Sequence, residues 1–222
     1  MTVREARPLI REALRRFVYP AVCGLGFTHE RGQEVTRVLG DQTVQTIYFV
    51  EEAGAFKGEV ELRPMLLIEN PRLAPIADEM TDPSSFDSRT AIVSVECARL
   101  AQYEERLSWT FGESDEVEAA IVHMSDYLVR EVVPFLDQCT LEDIVVLIAQ
   151  KDQRISSDEG AMLLGIAGAL VLKRDDLVRA LGDRLFGGLP GRRNRYPFAV
   201  ACLQKRGWSW EGSDNGLRAS SE

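Results

Sequence analysis

The feature that most constrains this chain is an amphipathic helix that stops in Gly24-Leu25-Gly26-Phe27 and gives way at once to strand-like segments. Leu9, Ile10, Ala13, Leu14, Phe17 and Val18 recur at three- and four-residue spacing, which predicts one apolar helical face. Arg4, Arg7, Arg11, Arg15 and Arg16 fall mostly on the solvated side. Pro20 has no N–H for the preceding turn, so the helix is expected to kink or restart there. Gly24 or Gly26 can adopt the left-handed conformation that ends helices, and Phe27 then returns apolar surface to the core.

Two strands follow, Gln33–Leu39 and Thr43–Val50, rich in Val, Thr, Ile, Tyr and Phe and joined around Gly40-Asp41. A short Gly-containing connection suits a hairpin. Gln45, Ile47 and Phe49 share one face of the second strand; Val44, Thr46 and Tyr48 share the other. A third strand is expected over Phe56–Ile68, interrupted at Pro64, which marks an edge or a bulge. The Pro-, Ser- and Asp-rich stretch 70–88 reads as a loop with one short helical turn. Ala91–Cys97 is a fourth strand and Leu107–Phe111 a short fifth. Strands in uninterrupted succession predict an antiparallel sheet.

The periodicity then becomes helical. Ser114 is the expected N-cap of a helix through Val117, Ile121, Met124, Leu128 and Val132 as far as Pro134. Thr140 caps another through Ile148, and Ser156 with Glu159 has capping-box spacing for an apolar helix, Ala161–Leu172. Lys173 to Asp176 turn the chain into Leu177–Phe186, which Gly187–Gly191 breaks. A last helix covers Pro197–Lys205. The fold class expected is α+β: a four- to five-stranded, mostly antiparallel sheet packed by helices, then an all-helical C-terminal part. The domains expected are 1–139, 140–207 and a polar tail, 208–222. The helices flanking Lys173-Arg174 resemble one hairpin of an interaction solenoid, and one pair makes no repeat array.

At 222 residues, with 45% hydrophobic and 27% charged residues, the chain is long enough to bury a substantial core. It has no run near the roughly 20 apolar residues that span a bilayer, so no membrane partner is expected. The first residues lack an apolar leader core, and cytoplasmic is the expected location. Cys23, Cys97, Cys139 and Cys202 lie far apart and read as buried free thiols.

The net charge of −9 is uneven: residues 51–118 carry 16 acidic against 6 basic side chains. Such acidity disfavours nucleic acid as a partner. Arg192, Arg193 and Arg195, with Lys205 and Arg206, form a basic cluster that offers an acidic partner or RNA a weak contact; a solvated loop is the plainer reading. His29 and His123 are the only histidines, and no nucleophile elbow, phosphate loop or zinc motif is present. The adjacent acids, such as Glu51-Glu52 and Asp175-Asp176, border turns and helix starts as solvated charge. Gly165 and Gly168 sit in an apolar helix and read as close-packing positions. Catalytic residues, metal and cofactor are all expected to be none.

Arg37, Tyr48, Arg63 and Trp109 lie on expected strands. On one exposed face they would make a cationic and aromatic recognition surface; otherwise Tyr48 and Trp109 belong to the core. With Gly26-Phe27, Arg37 and Pro134-Phe135-Leu136 in this order, the stretch 5–145 resembles a family of bacterial domains of unknown function. That resemblance implies an α+β fold and no activity. The function expected is a non-enzymatic protein-interaction module with a protein partner. The alternatives are a ligand-binding protein or enzyme using a cleft between sheet and helical part, and RNA contact through the basic cluster.

Overall fold

The computed structural model describes residues 1–29, 32–81, 91–100, 108–156, 158–187, 191–210 and 217–219. The expected loop past residue 81, Leu107, most of the Gly187–Gly191 break and much of the tail lie outside these residues.

Helix α1, Val3–Ala13, opens with a capping box: Thr2 accepts from Glu5 N while Glu5 accepts from Thr2 N. It runs through a π-helical stretch, Leu14–Val18, into α2, Tyr19–Cys23. Strands β1 (Glu34–Val38), β2 (Val44–Ala53) and β3 (Val60–Glu69) follow, then α3 (Ala74–Met80), β4 (Ala91–Glu96) and β5 (Trp109–Phe111). Helix α4, Glu116–Tyr127, passes through a second π stretch, Leu128–Val132, into α5, Val133–Leu136. The rest comprises α6 (Leu141–Gln150), α7 (Glu159–Leu172), α8 (Asp175–Phe186), α9 (Arg192–Arg195) and α10 (Pro197–Lys205), then β6 (Trp208–Trp210) and β7 (Leu217–Ala219). The α+β fold is as expected. The tail read as polar contributes a strand pair, with Trp208 only 4% exposed.

By its contacts the chain divides into two units. The first holds residues 1–40, 44–68 and 94–139; the second holds 41–43, 69–93 and 140–222.

Two of the first unit's prolines, Pro20 and Pro134, are met in the same way. Pro20 and Pro134 each follow a five-residue π stretch by two positions. A proline ring collides with the carbonyl four residues back and donates nothing to it. Widening the turn, so that Tyr19 N reaches Leu14 O and Val133 N reaches Leu128 O, removes the conflict without ending the helix. Leu14, Val18, Leu128 and Val132, at matching offsets, are all fully buried. The buried face of the first helix runs through Ala6, Ile10, Ala13, Leu14, Val18 and Val22; Leu9, expected on it, is exposed and Phe17 is half-buried. Helix α1 packs along α4, and Ser125 Oγ donates to Phe17 O at 3.1 Å, inside the stretch that Pro20 disturbs. Gly26, at φ +90°, is the left-handed residue; Gly24 is right-handed.

The sheet order is β1-β2-β3-β4, with β5 joined antiparallel to β3. β3 is therefore an internal strand, which corrects the edge expected from Pro64. The proline lies two residues past Leu62, where pairing with β5 ends. The strand starts at Val60 because Phe56 belongs to the preceding turn, closed by Gly54 N to Glu59 O and by Gly58 at φ +93°. Ser114 does not cap α4: the longer Glu116 side chain reaches back and accepts from Gly112 N and Glu113 N.

In the second unit α7 packs against both α6 and α8. A Cβ at Gly168 would lie 2.6 Å from Val145 Cγ2, and one at Gly165 would lie 3.2 Å from Leu181 Cδ1, so both glycines permit close helix approach. Thr140 forms its capping box with Asp143. The cap of α7 is Asp158, which accepts from Ala161 N; Ser156, expected there, bonds to Asp158 instead. Lys151 and Lys173 end α6 and α7 in the left-handed conformation, at φ 59° and 56°. Asn70, fully buried, donates to Asp41 O and Thr43 Oγ1, while Asp41 accepts from Leu141 N. Burial opposes the Asp41 charge, but the hydrogen bonds from Leu141 and Thr43 outweigh it and hold its carboxyl below the usual range.

Candidate functional site

Arg37 gathers the pieces that are widely spaced in sequence. Its Nε donates to Gln45 Oε1 at 2.6 Å, directly across the β1–β2 ladder. Its Nη1 pairs with Asp137 Oδ1 at 2.7 Å, and the guanidinium lies 4.6 Å from the centre of the Phe27 ring. Gln45 in turn donates to Leu136 O at 2.8 Å and Cys139 O at 3.2 Å. These bonds tie the end of α5 and the turn beyond it to β2: Leu136 O also accepts from Cys139 N, and Cys139 lies three residues past the helix. Gly26-Phe27, Arg37 and the residues after Pro134 thus meet at one point. With its side chain only 10% exposed, Arg37 is a strut between β1 and the end of α5 rather than a free cation. Its Nη2 is buried with no hydrogen-bond partner among the described residues, a cost that the aromatic face beneath offsets in part.

The ladder registers decide how the four strand residues are arranged. Arg37 pairs with Gln45 and Trp109 with Leu62, so both lie on the helix-facing side of the sheet. Tyr48 and Arg63 fall on the opposite side, because successive residues alternate faces. The single surface of four is therefore replaced by two pairs. Trp109 is buried core: its Nε1 donates to His123 Nδ1 at 3.2 Å, and its ring lies 5.5 Å from that of Tyr127. Arg63 is held between Glu52 and Glu96, which raise its pKa, the Glu52 hydrogen bond contributing most.

The outer face, opposite the helices, is the more open one. Val44, Tyr48, Val50, Met65 and Leu67 are half-buried there, whereas Ile47, Leu62 and Leu66 of the inner face are fully buried. Glu34 and Glu52 are exposed at its margin, Glu61 and Glu96 are half-buried, and Arg63 is the cation among them. On edge strand β1 a cavity of about 350 Å³ is lined by Gly26, Thr28, Glu34, Thr36, Arg37 and Val38. Thr28 bonds Thr36 through both backbone groups and covers the middle of that edge; Val38 stays 67% exposed. Met65, Leu67 and Val50 escaped the sequence reading. The alternation around Pro64 was the available signal, and the expected interruption at that proline hid it.

In the second unit the basic cluster is partly engaged in structure. Arg192, on α9, donates to Arg184 O at 3.3 Å, and Arg184 donates to Ile148 O at 2.8 Å. These contacts serve carbonyls at the ends of α8 and α6. Arg206 bonds Glu79 at 2.8 Å and holds its carboxyl below the usual range. Arg193 is half-buried on α9, and Arg195 is exposed. Tyr196 donates to Glu159, and burial together with that carboxylate pushes its phenol up to about 12.

His29 stacks on Tyr19 at 3.9 Å and has Gly32 O near its Nε2. Among the described residues no three His, Cys, Asp or Glu side chains are grouped to hold a metal ion, and no helix is long and apolar enough to cross a membrane. Cys97, Cys139 and Cys202 are buried free thiols; Cys23, expected with them, is exposed. No family model, curated protein or solved structure matches this chain, so its function has to be read from these side chains.

Proposed function

We propose that the chain is a protein-interaction module whose contact surface is the outer face of the sheet. One observation carries this reading. Five apolar or aromatic side chains, Val44, Tyr48, Val50, Met65 and Leu67, stand half-buried on one face while the opposite face is packed to near-complete burial. Contiguous apolar surface inside a polar margin is what protein partners cover, and aromatic and methionine side chains are enriched in such contacts. Glu34, Glu52, Glu61 and Glu96 set against Arg63 give the margin a negative sign, which selects a partner with a cationic rim and an apolar centre.

The test is capture from the native host with matched variants. Met65→Glu and Tyr48→Lys should each abolish recovery of a stoichiometric partner. Val122→Glu, at an exposed apolar site on α4, should leave recovery intact. Equal recovery by all three, or no partner with the parent chain, overturns the reading.

A further inference from the structure

Five arginines project from the first helix, and the fold uses only two of them internally. Arg7 pairs with Glu51 at 2.7 Å, and Arg16 pairs with Glu118 at 3.2 Å while lying over the Phe17 ring. Arg4, Arg11 and Arg15 are exposed and make no ion pair or hydrogen bond among the described residues. The three are aligned. Seven residues separate Arg4 from Arg11 and four separate Arg11 from Arg15, so at about 100° per residue they fall within one narrow stripe. Their rises along the axis are about 10 Å and about 6 Å. The stripe faces away from Ala6, Ile10 and Ala13, which are buried. Glu12 lies about 60° from Arg15 at the edge of the stripe, where three arginines outnumber it, and Glu5 is occupied at the Thr2 cap.

From this we infer a second docking surface, of opposite sign to the sheet face: the Arg4–Arg11–Arg15 stripe takes an acidic helical segment of a protein partner. Charge complementarity fixes the sign of the occupant. Carboxylates spaced seven and four residues apart on one helix face repeat the same rises, so such a helix aligned with α1 meets all three guanidiniums. Arginine suits this contact because its planar fork donates two hydrogen bonds to one carboxylate. Nucleic acid fits less well, since three guanidiniums on one helix neutralise few phosphates.

Fluorescence anisotropy of the full chain with labelled poly-L-glutamate tests this, with poly-L-lysine and an oligothymidylate as the other arms. Poly-L-glutamate should bind, and high salt should weaken it. Arg11→Gln with Arg15→Gln should reduce its affinity by about tenfold or more, while Arg11→Lys with Arg15→Lys, which keeps the charge and loses the fork, should reduce it less. Arg192→Gln with Arg195→Gln, in the other unit, should change nothing. Circular dichroism checks that each variant is folded; the exposed positions make loss of the helix unexpected. The inference fails if poly-L-glutamate does not bind, if the double glutamine variant binds it unchanged, or if the oligothymidylate binds more tightly. Because the sheet face is untouched by these variants, their failure leaves the reading above standing, and the reverse also holds.

Discussion

In the first unit, buried polar groups find partners far along the chain. Gln45 reaches carbonyls 91 and 94 residues away, Ser125 reaches one 108 residues back, and Tyr127 bonds Cys97 O across 30. In the second unit the helices are closed mostly by their neighbours, Thr140 with Asp143, Asp158 with Ala161, and left-handed lysines at 151 and 173, although Leu141 N also reaches Asp41 across 100 residues. The sheet unit is thus fixed by contacts that exist only once its distant segments have met. The helical unit carries much of its punctuation within a turn or two of where it acts, and adds close approach at glycine. Damage should spread differently in the two.

That contrast can be broken in several places. Leu128→Ala removes a fully buried side chain in the second π stretch and should cost about 2–5 kcal/mol in urea unfolding. A cost below about 1 kcal/mol would show that this stretch is not part of the core. Gly168→Ala forces a methyl against Val145 and should cost about 1–3 kcal/mol. Adding Val145→Ala should recover part of that loss, because the two sites share one contact. If the double variant is less stable than the sum of the singles, the close approach is not the cause.

Gln45→Leu removes the side-chain donor from Cys139 O and from Leu136 O, which keeps its bond from Cys139 N, at about 1–3 kcal/mol. Amide exchange should rise in residues 133–139 as well as in β2, across the chain. Thr140→Ala should cost about 1 kcal/mol, with faster exchange confined to the first turn of α6. Exchange changes of the same breadth in both variants would erase the distinction between the units.

The smallest effect is one of pH. The folded-state pKa of Asp41 is lowered, so its stabilisation is present above the unfolded value of about 3.9 and is lost as pH falls through the lower folded value. Asp41→Asn should therefore flatten the acid limb of a stability profile. An unchanged limb would rule out this carboxylate as a contributor.

Local signals account for what was legible beforehand. The capping box at Thr140 needs only Asp143, three residues on, and it forms where the spacing placed it. The hairpin around Gly40-Asp41 and the last helix, Pro197–Lys205, follow from turn chemistry and period alone. Ser114 and Ser156 misplaced two caps because a longer or nearer carboxylate outcompeted the hydroxyl: Glu116 in one case, Asp158 in the other. Pro64 suggested an edge or a bulge, and no local rule reveals that β3 would be paired on both sides.

The candidate surface was less legible than the fold. Tyr48 and Arg63 were selected correctly as strand residues, but grouping them with Arg37 and Trp109 required a register the chain does not print. A shift of one residue in a ladder exchanges the two faces of a strand, and only cross-strand pairing fixes it. By itself the sequence determined the element types, the α+β class and the charge imbalance, because period, turn chemistry and composition act over a few residues. Tertiary structure alone decided which arginine became a strut, which remained in solvent, and which sheet face was left open. Those outcomes depend on burial, and burial is set by segments that lie a hundred residues apart.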